Sequence, residues 1–290
     1  ALPTDEARHR LALLVPLSGA NAEVGQSIAN ATTMALLDTG ADALRITTYD
    51  TAAGAGTAAA RAIADGNRLI LGPLLREDVG PVLAQARPAD VPLITFSNDV
   101  GIARSDVFVM GQIPQQAIAR VVGHALANGS RRIAAVLPQD EYGDRALAAL
   151  QQALAAGGGT FAGAERFARG GNAVVGAASR LATRGGFDTV LIADGARAAV
   201  LAAGELRPAG AASPVLLGTE LWASDGASAN AAALRGARFG AVSDARFAQF
   251  ADSYATRFGS RPNRIATLGY DAVLLTLRVA RDWTVGRPFP

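Results

Sequence analysis

Residues 10–19, RLALLVPLSG, decide how the rest of the chain is read. Leu11 to Val15 is apolar at consecutive positions, so both faces of the segment are covered, as in a strand inside a parallel sheet. Pro16 and the small polar residues Ser18 and Gly19 then end it in a loop. Working outward, the same alternation recurs. A helix is expected over Gly25–Leu37, a strand over Leu44–Tyr49, a helix over Thr57–Ala64, a strand over Leu69–Gly72, a helix over Glu77–Ala86, and strands over Val91–Phe96 and Val107–Met110. Strands alternating with helices predict βαβ units and a parallel sheet with helices on both faces.

Pro114 is placed to open a helix that runs to about Ala127. A second series begins beyond it: strand Arg132–Leu137, helix Tyr142–Ala155, strand Thr160–Phe167, helix Ala173–Thr183, strand Thr189–Ala193, helix Ala196–Glu205 and strand Val215–Gly218. Two doubly wound α/β lobes of similar size result. Two amphipathic helices, Ala245–Phe258 and Ile265–Asp282, close the chain with no strand after them. The length of 290 residues suits two modest domains.

Composition narrows the chemistry. The chain has no Cys and no Lys, which removes thiol nucleophiles, Cys-bound metals, disulfides, Schiff-base lysines and the P-loop lysine. His9 and His124 are the only histidines, one in a polar lead-in and one in an apolar helical run, so neither a His metal site nor a Ser-His-Asp triad is expected. No metal or cofactor is predicted. The net charge of +2 provides no field for nucleic acid, and no run of 18 apolar residues is present to span a membrane. Alanine occurs 65 times, so helix faces are less informative than usual.

In open parallel sheets ligands bind beyond the carboxyl ends of the strands. The residues there are small and polar: Ser18, Gly19 and Asn21; Asp50 and Thr51; Gly72-Pro73-Leu74 with Arg76; Ser97, Asn98 and Asp99; Gln139 to Tyr142; Asp194 and Gly195; Thr219, Glu220 and Trp222. Of these Asp50, Asp194 and Glu220 are the carboxylates open to acid–base work. None has a partner at a recognisable spacing, which argues against an enzyme. The stretch Gly54-Ala55-Gly56-Thr57-Ala58-Ala59 matches a dinucleotide fingerprint but follows the second strand after a gap, and no acidic residue ends the next strand. An aromatic content of 6% argues against a sugar receptor.

The stretches LALLVPLSG (11–19), LILGPL (69–74), VPLITFSND (91–99), EYG (141–143), LLGTELW (216–222) and LGYDAV (268–273), in this order, resemble the type I periplasmic ligand-binding family. The branch is that of the leucine/isoleucine/valine-binding-like proteins. LGPL with FSND and GTELW is most similar to the penicillin-binding protein activator lipoproteins. The resemblance implies two lobes joined by a hinge near Ile113, Val242 and Pro288, with an interlobe cleft and no catalysis. It returns the last two helices to the first lobe, giving 1–113 plus 244–290 as lobe one and 114–243 as lobe two. It also implies roles. Arg76 stands where the amino-acid binders place a hydroxyl for the ligand carboxylate. Ser97 and Asn98 match the loop that gives backbone N–H and hydroxyl. Tyr142 matches the residue that covers the ligand, and Glu220 the acid that holds its ammonium. With Ser18, Asp194 and Trp222 these form the expected ligand-binding set. The implied location is the periplasm, with or without a lipid anchor on an N-terminal Cys outside this sequence. The implied partners are a small amino-acid-like ligand and either a membrane transporter or a peptidoglycan synthase.

Overall fold

The computed structural model describes residues 8–207, 213–224, 230–241 and 244–289. In β1 (His9–Val15), Leu11, Leu13 and Val15 lie in one core cluster and Ala12 and Leu14 in another, and all five are fully buried. Alternate side chains of a strand point to opposite faces, so this one strand sits between two helical layers. Around it, β2 (Leu44–Asp50), β1, β3 (Leu69–Leu71), β4 (Leu93–Thr95) and β5 (Val107–Val109) run parallel in that order. On one face lie α1 (Ala22–Thr39) and the last helix, α9 (Thr267–Ala280). On the other lie α2 (Ala55–Ala64) and α3 (Arg76–Ala86). Truncating one such fully buried leucine to alanine typically costs about 2–5 kcal/mol.

The closing helices belong to this lobe, which is formed by the chain up to Gln112 together with the chain from Asp244 onward. Helix α9 lies close against α1: a Cβ on Gly269 would meet Ile28 O at 2.4 Å, so glycine permits the approach. The preceding helix, α8 (Asp244–Phe258), is tied to α1 by the Tyr254 hydroxyl, which accepts from Asn30 Nδ2 at 2.8 Å. Beyond α9 the chain stays on the same lobe. Trp283 stacks on His9 with ring centroids 4.2 Å apart, and Phe289 packs on Trp283 and Phe108. The connection expected near Pro288 is therefore next to a residue that is part of the lobe-one core, and Val242 lies outside the described residues.

The second lobe repeats the plan. Its strand order is β10-β9-β8-β6-β7, all parallel, with β6 (Arg132–Pro138), β7 (Thr160–Phe167), β8 (Thr189–Ile192), β9 (Val215–Gly218) and β10 (Arg238–Phe239). Ile133, Ala135 and Leu137 face α4 (Pro114–Ala127) and α5 (Glu141–Gly157); Ala134 and Val136 face α6 (Ala173–Arg184) and α7 (Ala196–Leu206). The two-residue β10 was not expected from the sequence, because two residues are too few to show a period. Among the described residues no helix is long and apolar enough to cross a membrane. The decoy at Gly54 opens α2, whose Ala55, Ala58 and Ala59 pack with Val82 and Ala86 of α3.

Candidate ligand-binding site

In the first lobe the loops at the carboxyl ends of the strands are bound to one another. Asp50, the last residue of β2, accepts from Leu17 N at 2.8 Å and Ala52 N at 2.9 Å through Oδ1, and from the Ser18 hydroxyl at 2.8 Å through Oδ2. Those bonds, the Leu17 and Ala52 N–H groups foremost, hold its carboxyl below the usual range. Ser18 thus serves to join two loops.

The loop after β4 is a ladder of internal bonds. Thr95 Oγ1 accepts from Ser97 N at 3.1 Å and donates to Pro73 O at 2.9 Å; Ser97 Oγ accepts from Asp99 N at 3.2 Å; Asp99 Oδ1 accepts from Gly101 N at 2.9 Å and caps the short turn Val100–Ile102. Ser97 is buried and Asn98 half-buried beside it. Arg76, at the first position of α3, donates from Nε to Asp99 Oδ2 at 2.5 Å. The three residues matched to carboxylate recognition are thus neighbours, with Arg76 joined to Asp99, a residue the expected set left out.

In the second lobe Tyr142, in the first turn of α5, reaches across to the end of β9. Its hydroxyl is 2.8 Å from Thr219 Oγ1 and 2.9 Å from Glu220 Oε1. A carboxylate only accepts, so the tyrosine gives its proton to Glu220 and the threonine hydroxyl donates to the tyrosine. Thr219 is fully buried, and Tyr142 and Glu220 are 8% and 9% exposed. Burial raises the pKa of Glu220; burial first and the adjacent Glu220 charge next raise that of Tyr142. Among the described residues Glu220 Oε2 has no hydrogen-bond partner. A buried carboxylate oxygen without a donor is costly to keep, and a ligand N–H would relieve that cost.

Arg169, which follows β7, was not foreseen. Its Nε donates to Asp140 Oδ2 at 2.5 Å and its Nη1 to Asp194 Oδ1 at 2.7 Å. The guanidinium carbon also lies 5.6 Å from the centroid of the Tyr142 ring, within cation–π range. Asp140 caps α5 by accepting from Gly143 N at 2.9 Å. Burial pushes its carboxyl up, but the bonds from Arg169 and Gly143 outweigh it and leave the group lowered. Asp194 also accepts from Gly195 N at 2.7 Å at the start of α7. The carboxyl ends of β6, β7, β8 and β9 are thus linked through Asp140, Arg169, Asp194, Tyr142 and Glu220. The strand-end rule applied to β7 would have named Arg169.

Trp222 is placed elsewhere. Its side chain is 1% exposed and packs in the core under α6 and α7, with its ring 6.0 Å from that of Phe239. A Cβ on Gly218 would come within 2.2 Å of the indole, so glycine at the end of β9 makes room for it. The turn Glu220–Ser224 sends residue 220 toward Tyr142 and residue 222 into the core, and the ligand contact read for Trp222 gives way to packing.

Comparisons with known proteins agree with this architecture. An uncharacterized protein of Rickettsia prowazekii, RP748, is 27% identical over 146 residues, which is 50% of this chain and 39% of that protein; the chain spans well under two thirds of that relative's length. Among solved structures, a putative branched-chain amino acid ABC transporter protein from Rhodospirillum rubrum superimposes with a TM-score of 0.79 at 20% identity, covering 94% of this chain and 84% of that one. The leucine-binding protein LivK of Thermotoga maritima gives 0.67 at 19%, covering 94% and 83%. Full-length LpoA of Haemophilus influenzae gives 0.70 at 18%, covering 94% of this chain and 51% of that one. At these identities the structures speak to the fold: two lobes, each a doubly wound parallel sheet. The family model for periplasmic binding proteins matches residues 9–286, and the chain belongs to that family.

Proposed function

We propose that this protein is a non-enzymatic solute receptor of the periplasm that binds a small polar, amino-acid-like ligand and presents it to a membrane transporter. The observation that carries this reading is Glu220. It is buried, its Oε1 is held by the Tyr142 hydroxyl, and its Oε2 has no donor among the described residues. A buried carboxylate bonded at one oxygen and lacking a donor at the other is suited to an ammonium group that reaches it. Tyr142 fixes its position, and Arg169 fixes Tyr142 through the cap of α5 and the face of the ring. The branched-chain amino acid proteins among the structural neighbours are in keeping with an amine-bearing ligand.

The test is a thermal-shift screen of amino acids and simple amines against the wild-type chain and Glu220→Ala. A ligand at about 100 times its Kd stabilises by about 2.7 kcal/mol, which raises the melting temperature visibly. The expected result is a shift with an amine-bearing compound that Glu220→Ala abolishes. No shift with any amine overturns the reading.

A second reading, regulation of a peptidoglycan synthase through protein contacts, rests on the resemblance of LGPL, FSND and GTELW to the penicillin-binding protein activator lipoproteins, with full-length LpoA among the structural neighbours at 18% identity. Capture of a purified synthase by this protein, unaffected by Glu220→Ala, would support it over the receptor.

A further inference from the structure

The first lobe has a cavity at the other end of its sheet from the loops that follow the strands. Its volume is about 310 Å³, the size of a small-molecule site. Arg87, Asp90, Pro92, Asp106, Phe108 and Phe289 form most of its wall. Asp90 and Pro92 precede β4 and Asp106 precedes β5, so they stand at the amino-terminal ends of parallel strands. Every lining residue belongs to the first lobe. Short-range turns build the wall. Asp90 takes the left-handed conformation, φ 53°, which aspartate tolerates better than most residues, and ends the turn Arg87–Ala89. Arg104 and Val107 exchange both backbone hydrogen bonds at 3.1 Å, which sets Asp106 just before β5. The Arg87 guanidinium then reaches Asp106, Nε to Oδ2 at 2.7 Å and Nη2 to Oδ1 at 3.4 Å.

Strand β5 is an edge of the sheet, and Phe108 at its middle is 43% exposed. Phe289 leans on it with ring centroids 6.3 Å apart and planes inclined by 58°, and is itself held by Trp283. The cavity thus offers aromatic faces, which carry partial negative charge. Asp106 is engaged by Arg87. Asp90 is exposed, and among the described residues its carboxylate has no hydrogen bond or ion pair. The lining side chains therefore set two carboxylates against one guanidinium. Arg104, whose charge also acts on Asp106, turns its guanidinium to the carbonyls of Gly101 and Ala103. A negative surplus beside aromatic rings attracts an organic cation.

We infer that this cavity binds a small planar organic cation of the amidinium or guanidinium type, its flat face on the phenylalanine rings and its N–H groups donated to Asp90. A planar cation carries its donors in a fixed plane, so it can stack on a ring and bond a carboxylate at once. The site lies within the first lobe alone and does not rest on the reading of Glu220.

Benzamidinium, benzamide and benzoate are close in shape and differ in charge, and they are the probes for ligand-observed NMR titrations of the full chain near neutral pH. Benzamidinium is expected to bind saturably and at least about five-fold more tightly than benzamide. Asp90→Asn and Phe108→Ala, both at exposed positions and both checked for an unchanged melt, should each weaken it about five-fold or more. Arg87→Met removes the competing cation and frees Asp106, so it should tighten benzamidinium, while Glu220→Gln leaves the affinity unchanged. Absence of benzamidinium binding, or binding that ignores both Asp90→Asn and Phe108→Ala, overturns the inference. Benzoate binding that Arg87→Met abolishes overturns it too, by making the cavity an anion site. Benzamidinium binding lost in Glu220→Gln but indifferent to Asp90→Asn overturns it while supporting the amine reading of the second lobe.

Discussion

The hydroxyl of Tyr142 stands 2.9 Å from Glu220 Oε1 although 78 residues separate them in the chain. The contact spans the beginning of one helix and the end of a strand two places away in the sheet. Removing it by Tyr142→Phe keeps the ring and its packing in the α4–α5 core but takes a side-chain donor from a buried carboxylate. Stability at neutral pH is expected to fall by about 1–3 kcal/mol, the cost of leaving such a group unsatisfied, as measured by urea unfolding. Amine binding weakens with it.

Burial holds the Glu220 pKa above its ordinary value. Over the window between the ordinary carboxylate range and that raised value, the native state binds more protons than the unfolded one. Stability therefore declines as pH rises through the window and is regained as pH falls. Ammonium binding has the opposite demand, since it needs the ionised form. Affinity for an amine is expected to drop, on acidification, at a pH above the ordinary carboxylate range, and Glu220→Gln should remove that step from a calorimetric pH series.

Arg169 is exposed over 42% of its side chain, so its ion pairs contribute little to stability, about 1 kcal/mol or less. Its bonds to Asp140 and Asp194 and its place over Tyr142 make it a positioning residue. Arg169→Met is expected to leave the urea midpoint nearly unchanged while weakening amine affinity several-fold. Arg169→Lys should recover only part of that loss, because one ammonium cannot reproduce a two-sided fork.

His9 is buried against Trp283, and burial lowers its pKa. The unfolded chain then takes up a proton near the ordinary histidine value, about 6.5, before the native protein does. Stability should fall as pH drops below that value, with a slope of at most about 1.4 kcal/mol per pH unit. His9→Phe retains the stack on Trp283 and is expected to flatten this part of the profile, read from urea midpoints on either side of pH 6.5.

Much of this architecture is written into short stretches of the chain. The unbroken apolar run Leu11–Val15 requires cover on both faces, and the structure gives it α1 and α9 on one side, α2 and α3 on the other. Tyr142 and Glu220 could be named because strand ends are few and their side chains distinctive. Their bond could not, since it depends on how the turn Glu220–Ser224 rotates successive residues, the same rotation that carries Trp222 into the core. Arg169 lies in the loop just after β7, Ala168 to Gly171, where the strand-end rule would name it, but its partners are 25 and 29 residues away and could not be read locally. Ser18 and Arg76 were legible as strand-end residues, but their attachment to Asp50 and Asp99 is a tertiary fact.

The placement of α8 and α9 on the first lobe has a consequence for the order in which the protein is made. A ribosome releases β1 to β5 first, then roughly 130 residues that form the other lobe, and only afterwards the helices that cover α1. At about 5–20 residues per second the interval is on the order of ten seconds. Until those helices dock, Ala31 and Met34 of α1 lack the cover that Tyr254 and Ala266 give them in the folded protein. The second lobe, one continuous stretch of chain, has no such wait and can complete itself while the first is still half built.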